Sequence, residues 1–291
     1  MVGNKGIKKI AVLSVFLLPS LIGMIVFLII PILASLGLSF MKWDLLSEIE
    51  WVGLENYIKI FQDETFYEAF RHTLTFIVGY LPSVLIISLF LAILLNSKIK
   101  ALTLFRGIYF LPVISSWVAI SIIWKWILNP EYGLMNYFLS LIGVTGPAWL
   151  SDPKWAMISV IITSVWKDIG FITVIYLAGL QDIPDMYYEA ANIDGAGRVR
   201  KFFSITLPLL SKTTFFVLII SLINSFQVFD QIWIMTEGGP AGATSVLVEQ
   251  IYKNAFRYYK MGYASALSWV LFGVIFIVTI IQNKVQKKWG E

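Results

Sequence analysis

The sequence predicts an all-α membrane protein with about six membrane-spanning helices, and three observations predict it. Of its 291 residues, 58% are hydrophobic and only 14% charged, with a mean hydropathy of +0.79, whereas a soluble domain carries about 25% charged residues. Long uncharged runs recur, each close to the ~20 residues that a helix needs to cross ~30 Å of hydrocarbon. None of them alternates apolar and polar residues over the roughly ten positions of a barrel strand, which excludes a membrane β-barrel.

The apolar runs fall at residues 10–30, 72–95, 107–128, 155–180, 205–229 and 261–282. The first follows Lys5, Lys8 and Lys9 as a signal peptide would. It is too long for a signal's apolar region and lacks a small-residue cleavage site, so it is expected to persist as a helix. Pro19, Pro31, Pro82, Pro112 and Pro208 lie in or beside the spans; neighbouring helices can satisfy the carbonyls they free, so kinks are expected and breaks are not. Basic residues then set the orientation. The N-terminus, the loop with Lys98, Lys100 and Arg106, the loop with Arg198, Arg200, Lys201 and Lys212, and the tail with Lys284, Lys287 and Lys288 form one basic set. The alternate set includes residues 40–71, where Asp44, Glu48, Glu50, Glu55, Asp63, Glu64 and Glu68 outnumber Lys42, Lys59 and Arg71. Both termini are therefore placed in the cytoplasm. Trp43, Trp51, Tyr57, Trp126, Tyr132, Tyr137 and Trp149 suit the aromatic belt of the opposite face. With no internal repeat and no long linker, residues 1–291 read as a single transmembrane domain with its core at 72–282.

The net charge of +4 and pI near 9.0 follow from these inward loops and give no reason to expect nucleic acid. There is no cysteine, hence no disulfide framework or thiolate site. The sequence has no phosphate-binding loop and no HExxH pair; His72 is its one histidine, and Gly195-Ala196-Gly197 is too short for a dinucleotide fingerprint. No metal, cofactor or enzymatic centre is expected.

Two regions carry chemistry. The first is the inward loop at about 181–204. Asp182 is expected to cap a helix with Pro184 in its first turn, and Asp185 and Glu189 suit that helix's positive end. Asn192 to Gly195 then break it, and a second helix is expected from Asp194. Ala190, Ala191, Ala196 and the glycines leave little side-chain bulk, so a partner could approach the backbone, while Tyr187 and Tyr188 offer aromatic anchors. A plain turn leading back into the membrane is the simpler alternative.

The second region lies inside the membrane. Lys167 and Asp168 sit mid-span, where each charge costs ~2.5–3.5 kcal/mol on insertion scales and marks function by default. Ser164, Lys167, Asp168 and Phe171 share one helical face, as do Ser221, Asn224, Ser225 and Val228 in the fifth span, with Gln227, Asp230 and Gln231 on a neighbouring arc. These faces are candidates for a substrate path. A structural ion pair or helix-to-helix hydrogen bonds could employ the same residues, and an ion-coupled secondary transporter could use Lys167 and Asp168 as its ion site. That last class calls for inverted repeats and broken helices, which the sequence does not display.

The stretch Glu189-Ala-Ala-Asn-Ile-Asp-Gly-Ala-Gly197 followed by Phe202-Phe-Ser-Ile-Thr-Leu-Pro-Leu-Leu210 resembles the EAA loop of bacterial ABC importer permeases. Val52-Gly-Leu-Glu-Asn-Tyr57, Trp124-Lys-Trp-Ile-Leu-Asn-Pro-Glu-Tyr-Gly-Leu-Met-Asn-Tyr137, Phe226-Gln-Val-Phe-Asp230 and Thr236-Glu-Gly-Gly-Pro240 resemble the sugar-importing branch, nearest to the maltose-type first permease. The resemblance spans roughly residues 10–285. It departs at His72, where asparagine is the family's expectation, and the chain lacks the extra N-terminal helices and large external domain of the maltose subunit, so no maltose-specific contact is carried over.

The resemblance implies a type I ABC importer permease fold in a bacterial or archaeal cell membrane. It implies a second, homologous permease subunit, a cytoplasmic ATPase dimer that holds ATP and Mg, and an extracytoplasmic solute-binding protein as partners. Sugar would be the solute and lipid the surroundings. Tyr187, Tyr188, Glu189, Ala190, Ala191, Asp194, Gly195 and Ala196 would form the ATPase-coupling segment. A related importer for a solute such as glycerol phosphate is the alternative within the family.

Overall fold

The structure, a computed structural model, describes residues 3–96 and 102–289. It is predominantly helical and divides into two compact units. One comprises the chain up to Asp63 together with Ile251–Val270, the other Glu64–Gln250 together with the chain from Leu271 onward.

In the first unit, α1 (Gly3–Met24), a π-helical turn (Ile25–Ile29) and α2 (Ile30–Ser39) are continuous. The stretch Val15–Ser39 is long and apolar enough to cross a membrane, and no residue of its apolar window is buried within this chain. The span therefore runs past residue 30, where the sequence pattern ended it. Pro31 has no N–H to donate, and the wide turn just before it absorbs the missing bond without stopping the helix. A short antiparallel pair follows, β1 (Met41–Lys42) and β2 (Glu50–Trp51), with Met41 opposite Trp51. Phe40 stacks on Trp51. In the connecting loop Asp44 accepts from the Ser47 hydroxyl and from the Ser47 and Leu46 amides, and these bonds hold its carboxyl down to about 2. Helix α3 (Glu55–Gln62) is tied back by Asn56, whose amide donates to Ser39 O and Met41 O at 2.9 Å each. Gly262 must be glycine, because a Cβ there would strike the Met41 carbonyl.

The second unit is built on α4 (Glu64–Leu95) and α8 (Pro153–Gln181), its most extensive helix pair. Between them come α5 (Leu102–Ile114), α6 (Trp117–Ile127) and α7 (Leu134–Leu141). Phe76, Val84, Val160 and Tyr176 are buried at the centre. Close approach rests on small residues, as in other membrane bundles. A Cβ on Gly79 would lie 2.7 Å from Ile161 Cδ1, and one on Gly170 would strike the Tyr109 carbonyl of α5. Ser88 supplies polar glue, donating to Ile169 O across the α4–α8 pair at 3.3 Å.

The third and fifth spans differ from the unbroken helices expected. In the third span the helix stops at Ile114 and restarts at Trp117; between them Ser116, with its extended backbone and its hydroxyl accepting from the Ala119 amide, caps α6. Pro112 prepares that break by removing an N–H in the preceding turn. The fifth span is bent by 63° at Leu210, between a segment Arg198–Leu209 containing Pro208 and α12 (Ser211–Phe226). That segment consists of α10 (Arg198–Lys201), a π-helical turn and α11 (Leu207–Leu209), and α9 (Asp185–Ile193) precedes it. After α12 come α13 (Asp230–Met235), α14 (Leu247–Tyr252) and α15 (Met261–Trp289). Among the described residues four helices, or five if the bent pair counts as one, are long and apolar enough to cross a membrane.

Candidate functional site

A polar cavity of about 270 Å³ opens inside the second unit. Helix α8 brings Asp168 to it from mid-span. The end of α12 and the turn into α13 bring Asn224, Ser225, Gln227 and Asp230, while Phe76, Trp117 and Phe229 give it aromatic faces. The turn arises because α12 ends at Phe226 and α13 begins only at Asp230, leaving Gln227 to Phe229 outside regular helix. Phe229 stacks on Trp233, with ring centroids 5.9 Å apart. A smaller recess of about 40 Å³ shares Tyr80, Asp168 and Asn224 with this cavity and adds Phe171 and Ser221.

Asp168 is held by α4. The Tyr80 hydroxyl, on a side chain only 3% exposed, donates to its Oδ2 at 2.8 Å. This charge-assisted bond is worth ~1.5–3 kcal/mol, comparable to the insertion cost of the carboxylate. Lys167, the next residue, takes the opposite course. Its amine lies over the Trp117 ring, 4.7 Å from the centroid, and reaches Val113 O at 3.4 Å. The hydrogen bond is long, so the cation–π contact, worth ~2 kcal/mol when desolvated, does most to offset burial. Lys167 lines neither cavity and forms no ion pair with Asp168 among the described residues.

Of the face Ser164–Lys167–Asp168–Phe171, then, only Asp168 and Phe171 reach the cavities. Ser164 is fully buried, donating to Val160 O and accepting from Gln231 at 3.2 Å. The fifth-span residues Ser221, Asn224, Ser225, Gln227 and Asp230 all reach one cavity or the other. Phe226, the last residue of α12, is buried in the core. Sequence reasoning missed Tyr80 and Trp117. The signal for Tyr80 was a hydroxyl-bearing aromatic in the middle of an apolar span; Trp117 could be found only by knowing that the helix restarts after Ser116.

The loop after α8 is placed with two corrections. Asp182 sits at the C-terminal end of α8, which runs on through Gln181, and does not cap α9; Pro184 precedes that helix with no side-chain cap. The following helix begins at Arg198, not at Asp194. The glycine elbow forms as a Schellman turn: Ala196 N–H donates to Ala191 O, Gly195 N–H donates to Asn192 O, and Gly195 has φ +72°. The 6→1 bond spans the positions that would have opened a helix at Asp194. Tyr188 is half-buried and shares a hydrogen bond with Thr206 at 2.9 Å, while Tyr187, Glu189, Ala190, Asp194 and Gly195 are exposed and Ala191 and Ala196 partly so. Lys201 donates to Asn192, clamping the elbow. Ile193 is 88% exposed at its tip.

A lipid-dwelling helical bundle enclosing a polar cavity and displaying a small, elbowed helix on a membrane-side loop is built as a transport subunit. The chain belongs to the family of binding-protein-dependent transport system inner membrane components, which it matches over residues 65–291. It is similar to the probable ABC transporter permease protein YurN of Bacillus subtilis, 38% identical over 95% of this chain and 96% of that one. It is also similar to the trehalose/maltose transport system permease protein MalF of Thermococcus litoralis, 36% identical over 92% and 91%. Its fold matches a chain of the bacterial alginate ABC transporter solved in complex with alginate pentasaccharide-bound periplasmic protein, with a TM-score of 0.87 and 26% identity over 98% of this chain and 96% of that chain.

Proposed function

We propose that this chain is one permease subunit of an ATP-driven, binding-protein-dependent importer of a neutral di- or oligosaccharide. It would form half of the translocation path beside a second, homologous permease. Helix α9 with its Gly195 elbow would seat in a cytoplasmic ATPase dimer, which holds the ATP and Mg; this chain binds no cofactor of its own. An extracytoplasmic solute-binding protein would deliver the sugar, and nucleotide-driven closure of the ATPases would rock the bundle between inward- and outward-facing states.

The observation that carries this reading is the mixed lining of the main cavity. Sugars bury their C–H faces against aromatic rings while each hydroxyl needs a fixed partner, since an unpaired polar group costs ~1–3 kcal/mol. Trp117 and Phe229 beside Asn224, Gln227, Asp168 and Asp230 offer both. Two carboxylates at the cavity, with Lys167 turned away from it, favour a neutral solute over glycerol phosphate. The same turning-away speaks against an ion-coupled carrier built on a Lys167–Asp168 pair, although the helix breaks at Ser115 and Leu210 are of a kind such carriers display.

A binding and uptake screen of the purified importer with its solute-binding protein, run against sugars, amino acids, polyamines and phosphate esters, tests the proposal. One or more neutral saccharides should be transported. Transport of a phosphate ester with no sugar active would overturn the solute assignment and leave the importer architecture standing.

A further inference from the structure

The polar side chains at the main cavity differ in how they are held. Asn224, Gln227 and Asp230 are exposed. Gln231 also lines the cavity but is only 6% exposed, because its amide reaches from α13 to α8, where Nε2 donates to Ser164 Oγ at 3.2 Å. Ser164 commits its own proton to Val160 O at 2.8 Å, so toward Gln231 it can only accept. The amide nitrogen must therefore face α8, and the oxygen is its other end. That oxygen has no hydrogen-bond partner among the described residues, and it is not one of the sealed, unpartnered oxygens, as those of Ser121 and Gln282 are.

We propose that Gln231 Oε1 is a fixed acceptor for a solute hydroxyl, with Ser164 as the residue that positions it. Asp168 is set in the same manner by Tyr80, and Ser164 and Asp168 stand about one turn apart on α8, ~6 Å along its axis. Gln231 and Asp168 are thus two acceptors whose orientation is settled before the solute arrives. A preset acceptor loses little conformational freedom when it binds. It receives a hydroxyl while offering nothing to another acceptor, so a solute with an ether or carbonyl oxygen at that place leaves Oε1 unpaired and is rejected. The assignment rests on the cavity being the solute site and adds to that reading the group that tells a hydroxyl from other oxygens.

The test is the number of solute molecules taken up per ATP hydrolysed, in proteoliposomes with the complete importer and saturating solute-binding protein. The probe is whichever of maltose, trehalose, lactose and raffinose gives the largest wild-type uptake. A solute held less well by the cavity escapes outward before the cavity closes, so the ratio falls while ATPase activity does not. Gln231→Met keeps the length of the side chain and removes both amide groups; the ratio should fall about tenfold, the equivalent of ~1.4 kcal/mol, as for a hydroxyl left without its partner. Ser164→Ala frees the amide to turn and should lower the ratio about threefold, yet it should change nothing further in the Gln231→Met background. Complex yield and ATPase activity should stay at the wild-type level in all three. An unchanged ratio in Gln231→Met overturns the proposal. So do effects that add in the double variant, which would show that Ser164 does not act through Gln231, and so does loss of the assembled complex in both single variants, which would make the bond a structural tie. Wild-type uptake of amino acids or phosphate esters and of none of these saccharides overturns the sugar reading instead, and needs no variant to be seen.

Discussion

Replacing Tyr80 with phenylalanine removes one oxygen and leaves the aromatic packing against Phe76, whose ring lies parallel to it at 5.3 Å. What disappears is the 2.8 Å bond to Asp168. A hydrogen bond to a charged group is worth ~1.5–3 kcal/mol. Asp168 borders the cavity, however, so water can take over part of the role, and a net loss of ~1–2 kcal/mol in holding the carboxylate in place is expected. At ~1.4 kcal/mol per factor of ten, solute uptake should fall by about five- to thirtyfold if Asp168 must be positioned to receive the solute. The assay is uptake into proteoliposomes containing the full importer, with ATPase activity and complex yield measured on the same preparation. Uptake should drop while yield and nucleotide-dependent ATPase activity stay near wild type. Unchanged uptake would refute a role for the Tyr80–Asp168 pair in the path. A parallel loss of yield would mean that the bond is structural.

Other changes separate the parts of the molecule. Lys167→Met keeps the stem and most of its packing while removing an amine that lines no cavity, so uptake should stay within about twofold once the modest loss of the Trp117 contact is allowed for; loss of uptake at full yield would return Lys167 to the path. Gly170→Ala places a methyl group against the Tyr109 carbonyl and should destabilise the α5–α8 contact by ~1–3 kcal/mol, visible as a lowered Tm of the detergent-solubilised complex. Gly195→Leu sets a branched side chain at φ +72° with no atom within 4 Å of the new Cβ, so it should cost ~1–2 kcal/mol of local strain and obstruct a partner without disturbing the bundle. Solute-stimulated ATPase activity should fall with the expression level of the chain unchanged, and wild-type coupling would contradict the docking role of α9.

Long apolar runs made α4, α8 and α15 legible, because lipid burial of so many apolar residues outweighs Pro82 in α4 and the Lys167 and Asp168 charges in α8. Element ends were less so. Asp182 reads as a cap by residue type, but α8 continues through Gln181 on the strength of Leu177 and Leu180 burying into the core, and tertiary packing outweighs a cap preference of ~1 kcal/mol. The elbow was expected at the right glycine and the next helix at the wrong residue, since a 6→1 bond turns the chain before it can restart. Within the site, helical spacing placed three polar residues and Phe171 on one α8 face, yet a face about 100° wide meets more than one neighbour. Ser164 and Lys167 turn to Gln231, Val113 and Trp117, and the partners that decide this come from other helices, whose register no single-span pattern contains. Tyr80 was hidden for the same reason.

The central claim is that nucleotide hydrolysis by partner subunits, and not an ion gradient, drives a neutral saccharide through the cavity bordered by Asp168 and Asn224. Proteoliposomes carrying the complete importer and saturating solute-binding protein, energised either by internal ATP or by an imposed proton or sodium gradient, measure this directly. Saccharide accumulation should require ATP and the binding protein together and be insensitive to the gradients. Accumulation driven by a gradient in the absence of ATP would contradict it.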